Sequence, residues 1–319
     1  NPNQDAGPVP DSGAQPVDAG VQPPPSSAKV DPNCLDGQYS EPLPTPNADI
    51  SGLISGYSAA NYVDFIMDVL EARYPVGAHL VEGGLANQQI GHCIDFFLSN
   101  KNSAQAVIKQ MSTIVHECGH FYDIGESGFD GSKFIITKEL TLSCNGGNKF
   151  EYGGNTFVRA ELTNDTFSDD YPPCPEGSFG GDCDFYASTY LTGDSGNQGF
   201  NMLFEEVVQY VNSLATGYAF NDFYAGSTSE RDGILTFLWY LERYLYLART
   251  EYPETYQFLS SSACWREAIL TVWGRAWIYL ETTKELAALG INDDKLMGLV
   301  ETPELLAEIE SLRNLHGCN

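Results

Sequence analysis

Residues 103–124 read SAQAVIKQMSTIVHECGHFYDI, and the spacing of the apolar residues in this stretch predicts a helix. With His116 set at zero and a turn of about 100° per residue, Val107, Ile114 and Phe121 fall near 140–180°. Ile108, Met111, Val115, Cys118, Gly119 and Tyr122 fill the arc from about 200° to 300°. The remaining strip holds Lys109, Ser112, Thr113, His116, Glu117 and His120. A helix that is apolar over more than half its circumference is buried on those sides, so its polar strip reads as the wall of a cleft.

That strip carries H-E-x-x-H at positions 116–120. Residues four apart on a helix lie about 40° apart around the axis and ~6 Å along it, so both imidazoles lean over one spot. They are expected to share a Zn2+ ion. Glu117 lies about 100° round from His116, placed to take a proton from water at that spot.

A catalytic zinc usually takes three protein ligands. The other histidines, His79, His92 and His316, stand in no ligand-like context. The best source of a third ligand is FEEVVQYVNSLA, residues 204–215, where Phe204, Val207, Val208, Val211 and Leu214 form an apolar stripe. Glu205 shares a flank of that helix with Gln209 and Asn212, while Glu206 lies near 200° from Phe204 and is expected to face solvent. Glu205 is therefore the expected ligand, with Gln209 supporting it and Glu206 as the exposed alternative.

H-E-x-x-H on one helix with a glutamate from a later helix resembles the gluzincin branch of the zincin metallopeptidases. The resemblance implies His116, His120 and Glu205 as zinc ligands and Glu117 as general base. The FEEVVQY run is similar to the E-G-x-A-x-Y type of ligand helix, and H-E-x-G-H-x-x-D ending at Asp123 is similar to a lethal-factor-like subset. Asp123 falls on the histidine face, either as an orienting group or as an ordinary helix-terminal aspartate. Gluzincins also use a Tyr or His on the oxyanion, for which Tyr186 and Tyr190 are the candidates here; both read equally as packing aromatics. The metzincin pattern fits less well, because it needs Gly at Asp123 and His or Asp at Glu126. What the resemblance implies is a zinc-dependent endopeptidase acting on protein or peptide. A zinc hydrolase of another amide or ester, or a binding protein with a structural or vestigial metal site, are the alternatives.

The rest of the chain fits an α+β, predominantly α, zincin-like domain with a small antiparallel β element and a helical C-terminal lobe. Residues 1–33 are rich in Pro, Gly, Asp and Ala, expected as a disordered tether whose start reads as a processed, mature N-terminus. Residues 34–200 form the expected N-terminal lobe. It contains a helix over 59–74 stopped by Pro75 and Gly77, a second within 83–100, the motif helix, and a hairpin of FIITKELTLS with NTFVRAEL. Residues 164–200 look like a long irregular loop closed by a Cys174–Cys183 disulfide. Residues 201–319 form the helical lobe, with helices near 202–217, 229–250, 264–287 and 303–315. The aromatic run Phe237, Trp239, Tyr240, Tyr244 and Tyr246 reads as helix core.

A net charge of -27 disfavours nucleic acid and anionic lipid as partners. No apolar run reaches the ~20 residues needed to span a bilayer. Eight cysteines, an even number, fit an oxidising compartment, so the expectation is a secreted monomer, tethered to the cell surface or free.

Overall fold

The computed structural model of the protein describes residues 29–87, 91–128, 131–175 and 182–318. The motif helix, Met111–Ser127, is buried along Met111, Ile114, Val115, Cys118 and Phe121, as its apolar arc requires. It is shorter than the 103–124 expectation. A separate turn of helix, Ala104–Ile108, is capped by the Ser103 hydroxyl, which accepts from the Ala106 N–H at 3.1 Å. The break falls where the Gln110 side-chain amide donates to the Ala106 carbonyl at 2.7 Å.

Two long helices pack on the motif helix. One is Pro75–Ala86: the expected stop at Pro75 ends the helix Tyr62–Arg73, but Pro75 also opens the next, because a first-turn proline forfeits no hydrogen bond. A Cβ at Gly84 would meet the Cys118 carbonyl oxygen at 2.4 Å, so the two backbones lie in direct contact. The other is the carboxylate helix, Phe200–Ala219. On this side the close approach is at Gly119, where a Cβ would lie 2.0 Å from Gln209 Oε1. The short helix Cys93–Phe97 is bonded to the motif helix through a Cys93–Cys118 disulfide.

The C-terminal helices Glu230–Glu251, Pro253–Ser261, Ala263–Thr282 and Pro303–His316 close the structure around aromatic side chains. Phe237, Trp239, Tyr240 and Tyr244 are buried, and Tyr246 is half-buried, as expected of a core run. The buried core is continuous between the two expected lobes: Phe134 stacks edge-on against Phe204 with ring centres 4.9 Å apart. The protein is predominantly helical, with one two-stranded antiparallel sheet among the described residues.

That sheet is not the expected pairing. Strands β1 (Lys133–Ile135) and β2 (Thr141–Ser143) both come from the first segment, with Phe134 opposite Leu142. Thr137 makes the turn, its hydroxyl accepting from the Glu139 and Leu140 N–H groups at 3.2 Å, a local bond that competes with strand extension. The partner segment 155–162 instead runs into the 3-10 turn Arg159–Asn164, where the Arg159 side chain donates to the Ser195 carbonyl at 2.8 Å.

Four disulfides pair all eight cysteines: Cys34–Cys318, Cys93–Cys118, Cys144–Cys264 and the expected Cys174–Cys183. Most of the expected tether, residues 1–28, lies outside the described residues. Its end is held: the Lys29 carbonyl accepts from Trp273 Nε1 at 2.6 Å and from Arg313 at 2.9 Å. No helix among the described residues is long and apolar enough to cross a membrane.

Candidate metal centre

His116 and His120 present their rings to each other from successive turns of the motif helix, with the two Nε2 atoms 3.1 Å apart. Glu206 completes a triangle: its Oε2 lies 3.3 Å from His120 Nε2 and 3.6 Å from His116 Nε2. This group of two imidazoles and a carboxylate can hold a metal ion. Ligand atoms ~2.0–2.1 Å from a tetrahedrally bound ion are about 3.3–3.4 Å from one another, which is the scale of all three edges.

The outer ring nitrogens are already engaged. His116 Nδ1 lies 3.0 Å from Ser213 Oγ, and His120 Nδ1 donates to Glu205 Oε1 at 2.9 Å. In a neutral ring a proton held at Nδ1 leaves the Nε2 lone pair toward the shared point. Glu206 Oε2, also turned there, is buried, and the polar groups it faces are the two Nε2 atoms at 3.3 and 3.6 Å. A buried carboxylate is costly unless it faces positive charge, which a protonated imidazole or a cation at the centre of the triangle supplies. The donor set therefore fits a divalent ion.

The electrostatics describe the cluster as it stands without a metal. Burial works against an imidazolium at His120, but Glu206 and Glu205 outweigh it and hold its pKa well above the ordinary histidine value. Burial likewise disfavours the Glu206 carboxylate, yet His120 and His116 pull its pKa below the usual range. Without a metal these carboxylates favour a proton on His120, which a cation bound at its Nε2 would displace.

The carboxylate helix contributes two faces. Glu206, Tyr210 and Ser213, at i, i+4 and i+7, all border the histidines. Glu205, Gln209 and Asn212, one residue back in each case, form a buried hydrogen-bonded chain behind them. The Gln209 amide donates to Glu205 Oε1 at 3.2 Å and to Asp123 Oδ2 at 3.0 Å. Asn212 donates to Gln209 Oε1 at 2.9 Å and accepts from Arg275 at 2.8 Å.

Of the two glutamates, then, the structure brings Glu206 into the cluster and puts Glu205 on the far side of the His120 ring. The expectation that Glu206 faces solvent is corrected: it is 8 % exposed, because this helix is buried around nearly its whole circumference. With no solvent side, an apolar stripe cannot rank two adjacent carboxylates. Asp123 is buried on the histidine face and orients its neighbours, accepting from the Ile135 N–H at 2.8 Å. Burial and the Glu205 charge push its carboxyl pKa well up.

Glu117 is half-buried, on the side of the motif helix left open, and its charge is felt at the Tyr190 phenol. Tyr190 reaches the cluster through Tyr210, with their hydroxyls 2.8 Å apart. Tyr210 lies edge-on to His116, ring centres 4.7 Å apart. Tyr186 stands one ring further out, and its hydroxyl donates to the Ser229 carbonyl at 3.3 Å. Tyr210 was not singled out in the sequence. The signal for it is the position one helical turn after Glu206. Burial pushes both the Tyr190 and Tyr210 phenols upward, so both hold their protons at neutral pH.

The remaining histidines are elsewhere: His79 packs on Tyr122, and His92 sits beside Asp95. Glu126 pairs with Lys133 at 2.5 Å. The chain matches no protein-family model, no curated protein and no solved structure.

Proposed function

We propose that this protein is a zinc-dependent metallopeptidase of gluzincin type, with His116, His120 and Glu206 as ligands and Glu117 as general base. The observation that carries the reading is the triangle of two Nε2 atoms and one carboxylate oxygen, with both Nδ1 atoms engaged behind it. Two imidazoles and one carboxylate are the ligand types of hydrolytic zinc sites, and three protein ligands leave a coordination position open. When bound, zinc supplies Lewis acidity, polarising a carbonyl and making water a better acid.

Glu117 is then the group that removes a proton from the attacking water and returns it to the departing amine. Its half-buried position suits that exchange. A site whose only task was structural would have no use for a carboxylate there. Tyr190 and Tyr210 supply the hydrogen bond that the developing oxyanion needs. In a pair of hydroxyls 2.8 Å apart, one gives its proton to the other, and the acceptor keeps its own proton to donate outward. Glu205, accepting from His120 Nδ1, favours the tautomer that leaves Nε2 of that ring to the metal, and Ser213 orients the His116 ring through its Nδ1. The four disulfides suit an extracellular location, which is part of the proposal.

The test is cleavage of denatured casein by protein carrying one equivalent of zinc, with and without chelator, and by Glu117→Gln. The reading expects cleavage that the chelator abolishes and a Glu117→Gln protein that retains zinc without activity. Full turnover by Glu117→Gln would remove Glu117 from the chemistry. Zinc retention with no hydrolysis by the unaltered protein would favour a structural site.

A further inference from the structure

A guanidinium stays charged in a folded protein, so burying one calls for an opposite charge beside it. Six buried arginines, Arg73, Arg231, Arg243, Arg249, Arg275 and Arg313, each lie 2.6–2.9 Å from a carboxylate oxygen. Arg159 is the exception. It is 1 % exposed, and it forms no ion pair among the described residues. Its Nε donates to the Ser195 carbonyl at 2.8 Å and its Nη1 to the Met202 carbonyl at 3.3 Å. Two carbonyl oxygens orient the guanidinium without neutralising it.

The groups that feel this charge belong to the candidate metal centre and its tyrosines. Burial draws the Arg159 pKa down, and the pull is opposed first by the Glu206 carboxylate, then by the phenols of Tyr190, Tyr240 and Tyr210. The guanidinium stands over the Tyr190 ring, 5.5 Å from its centre, within the range of cation–π attraction. Tyr190 and Tyr210 share a hydrogen bond between hydroxyls 2.8 Å apart, in which either could donate. A positive charge beside a phenol favours release of its proton, and Arg159 acts on Tyr190 more strongly than on Tyr210. Tyr190 is therefore the donor of the pair. Tyr210, which lies edge-on to His116, accepts from it and keeps its own proton for the cluster.

We propose that Arg159 is a positioning residue of the metal centre, its unpaired buried charge directing the Tyr190 hydroxyl onto Tyr210 and leaving the Tyr210 proton for the oxygen on which negative charge develops. That last role rests on the peptidase reading; the ordering of the two hydroxyls does not. Arg159 itself is too deeply buried to meet a substrate and acts through the Tyr190 ring.

The experiment is a double-mutant cycle between Arg159 and the Tyr190 hydroxyl, read by urea denaturation of the metal-free protein. Tyr190→Phe removes the hydroxyl and keeps the ring under the cation. Its cost, as a change in the unfolding equilibrium constant, should be about threefold or more larger in the unaltered protein than in Arg159→Gln. The same cost should be undiminished in Arg159→Lys, which keeps the charge. Arg159→Met replaces the glutamine variant if that does not fold. Equal costs with and without the charge overturn the proposal, as does a cost that falls in Arg159→Lys.

Kinetics on zinc-loaded protein give a second reading. Arg159→Gln should lower kcat on casein-derived peptides by about tenfold or more with little change in KM, and Arg159→Lys should recover most of it. Added to Tyr190→Phe, Arg159→Gln should cost nothing further; a full additional loss there marks a structural role and overturns the proposal. If the unaltered protein cleaves nothing, the peptidase reading fails, and the cycle in the metal-free protein alone decides the ordering of the hydroxyls.

Discussion

His120 stands between two adjacent glutamates: its Nδ1 lies 2.9 Å from Glu205 Oε1, and its Nε2 lies 3.3 Å from Glu206 Oε2. Consecutive residues on one helix thus take opposite sides of one imidazole, and they should differ in what their loss does. Glu206→Gln is expected to remove a ligand and leave less than a tenth of the zinc after dialysis. Glu205→Gln should retain zinc with an affinity about 10–100-fold weaker, because only the ring's support is lost. Metal analysis with competitive chelator titration checks both.

Tyr210 faces the cluster and shares a hydrogen bond with Tyr190. Tyr210→Phe should lower kcat about 10²–10³-fold on casein-derived peptides, the usual cost of losing one oxyanion donor. KM should change little. Steady-state kinetics on metal-loaded protein make the measurement, and unchanged kcat would place the oxyanion donor elsewhere.

Gly119 allows the motif and carboxylate helices to touch, with Gln209 Oε1 where a Cβ would sit. Gly119→Ala should force Gln209 aside, destabilise the fold by about 1–3 kcal/mol, and weaken zinc binding as Glu205 loses its partner. Chemical denaturation of the metal-free protein separates the first effect from the second.

The far end of the buried chain titrates. Burial opposes the Glu41 carboxylate, but Arg275, with Tyr279 and Tyr39, holds its pKa below the ordinary value. A folded-state pKa below the unfolded one adds stability above the unfolded value, and that stability is lost as pH falls through the folded one. Glu41→Gln should therefore cost about 3 kcal/mol at pH 7. The gap from the unaltered protein should narrow as pH drops below about 4.5. Urea midpoints from pH 7 to 3 check this.

The motif helix was legible because its apolar arc and its motif are both specific: the arc is buried as read, and on the polar strip His116 is buried as well, where the carboxylate helix packs on it. The carboxylate helix was legible as a helix but not at the level of Glu205 against Glu206, since burial all round removes the contrast on which amphipathic reading depends. Tyr210 was hidden for the same reason. The β element was read in the right region with the wrong partner, because the Thr137 side-chain bonds that fold the first segment on itself are local, whereas the Arg159 contacts that claim the second are made to residues well beyond it. Of the four disulfides only Cys174–Cys183 could be read, its cysteines being 9 residues apart; the others join elements up to 284 residues distant.

The most direct measurement is anomalous diffraction at the zinc edge from crystals of protein loaded with one equivalent of zinc. The account predicts one peak about 2.0–2.1 Å from Nε2 of both His116 and His120 and within bonding distance of a Glu206 oxygen. A peak bonded to Glu205 instead, or zinc bound elsewhere with the two rings still facing each other unbridged, would contradict it.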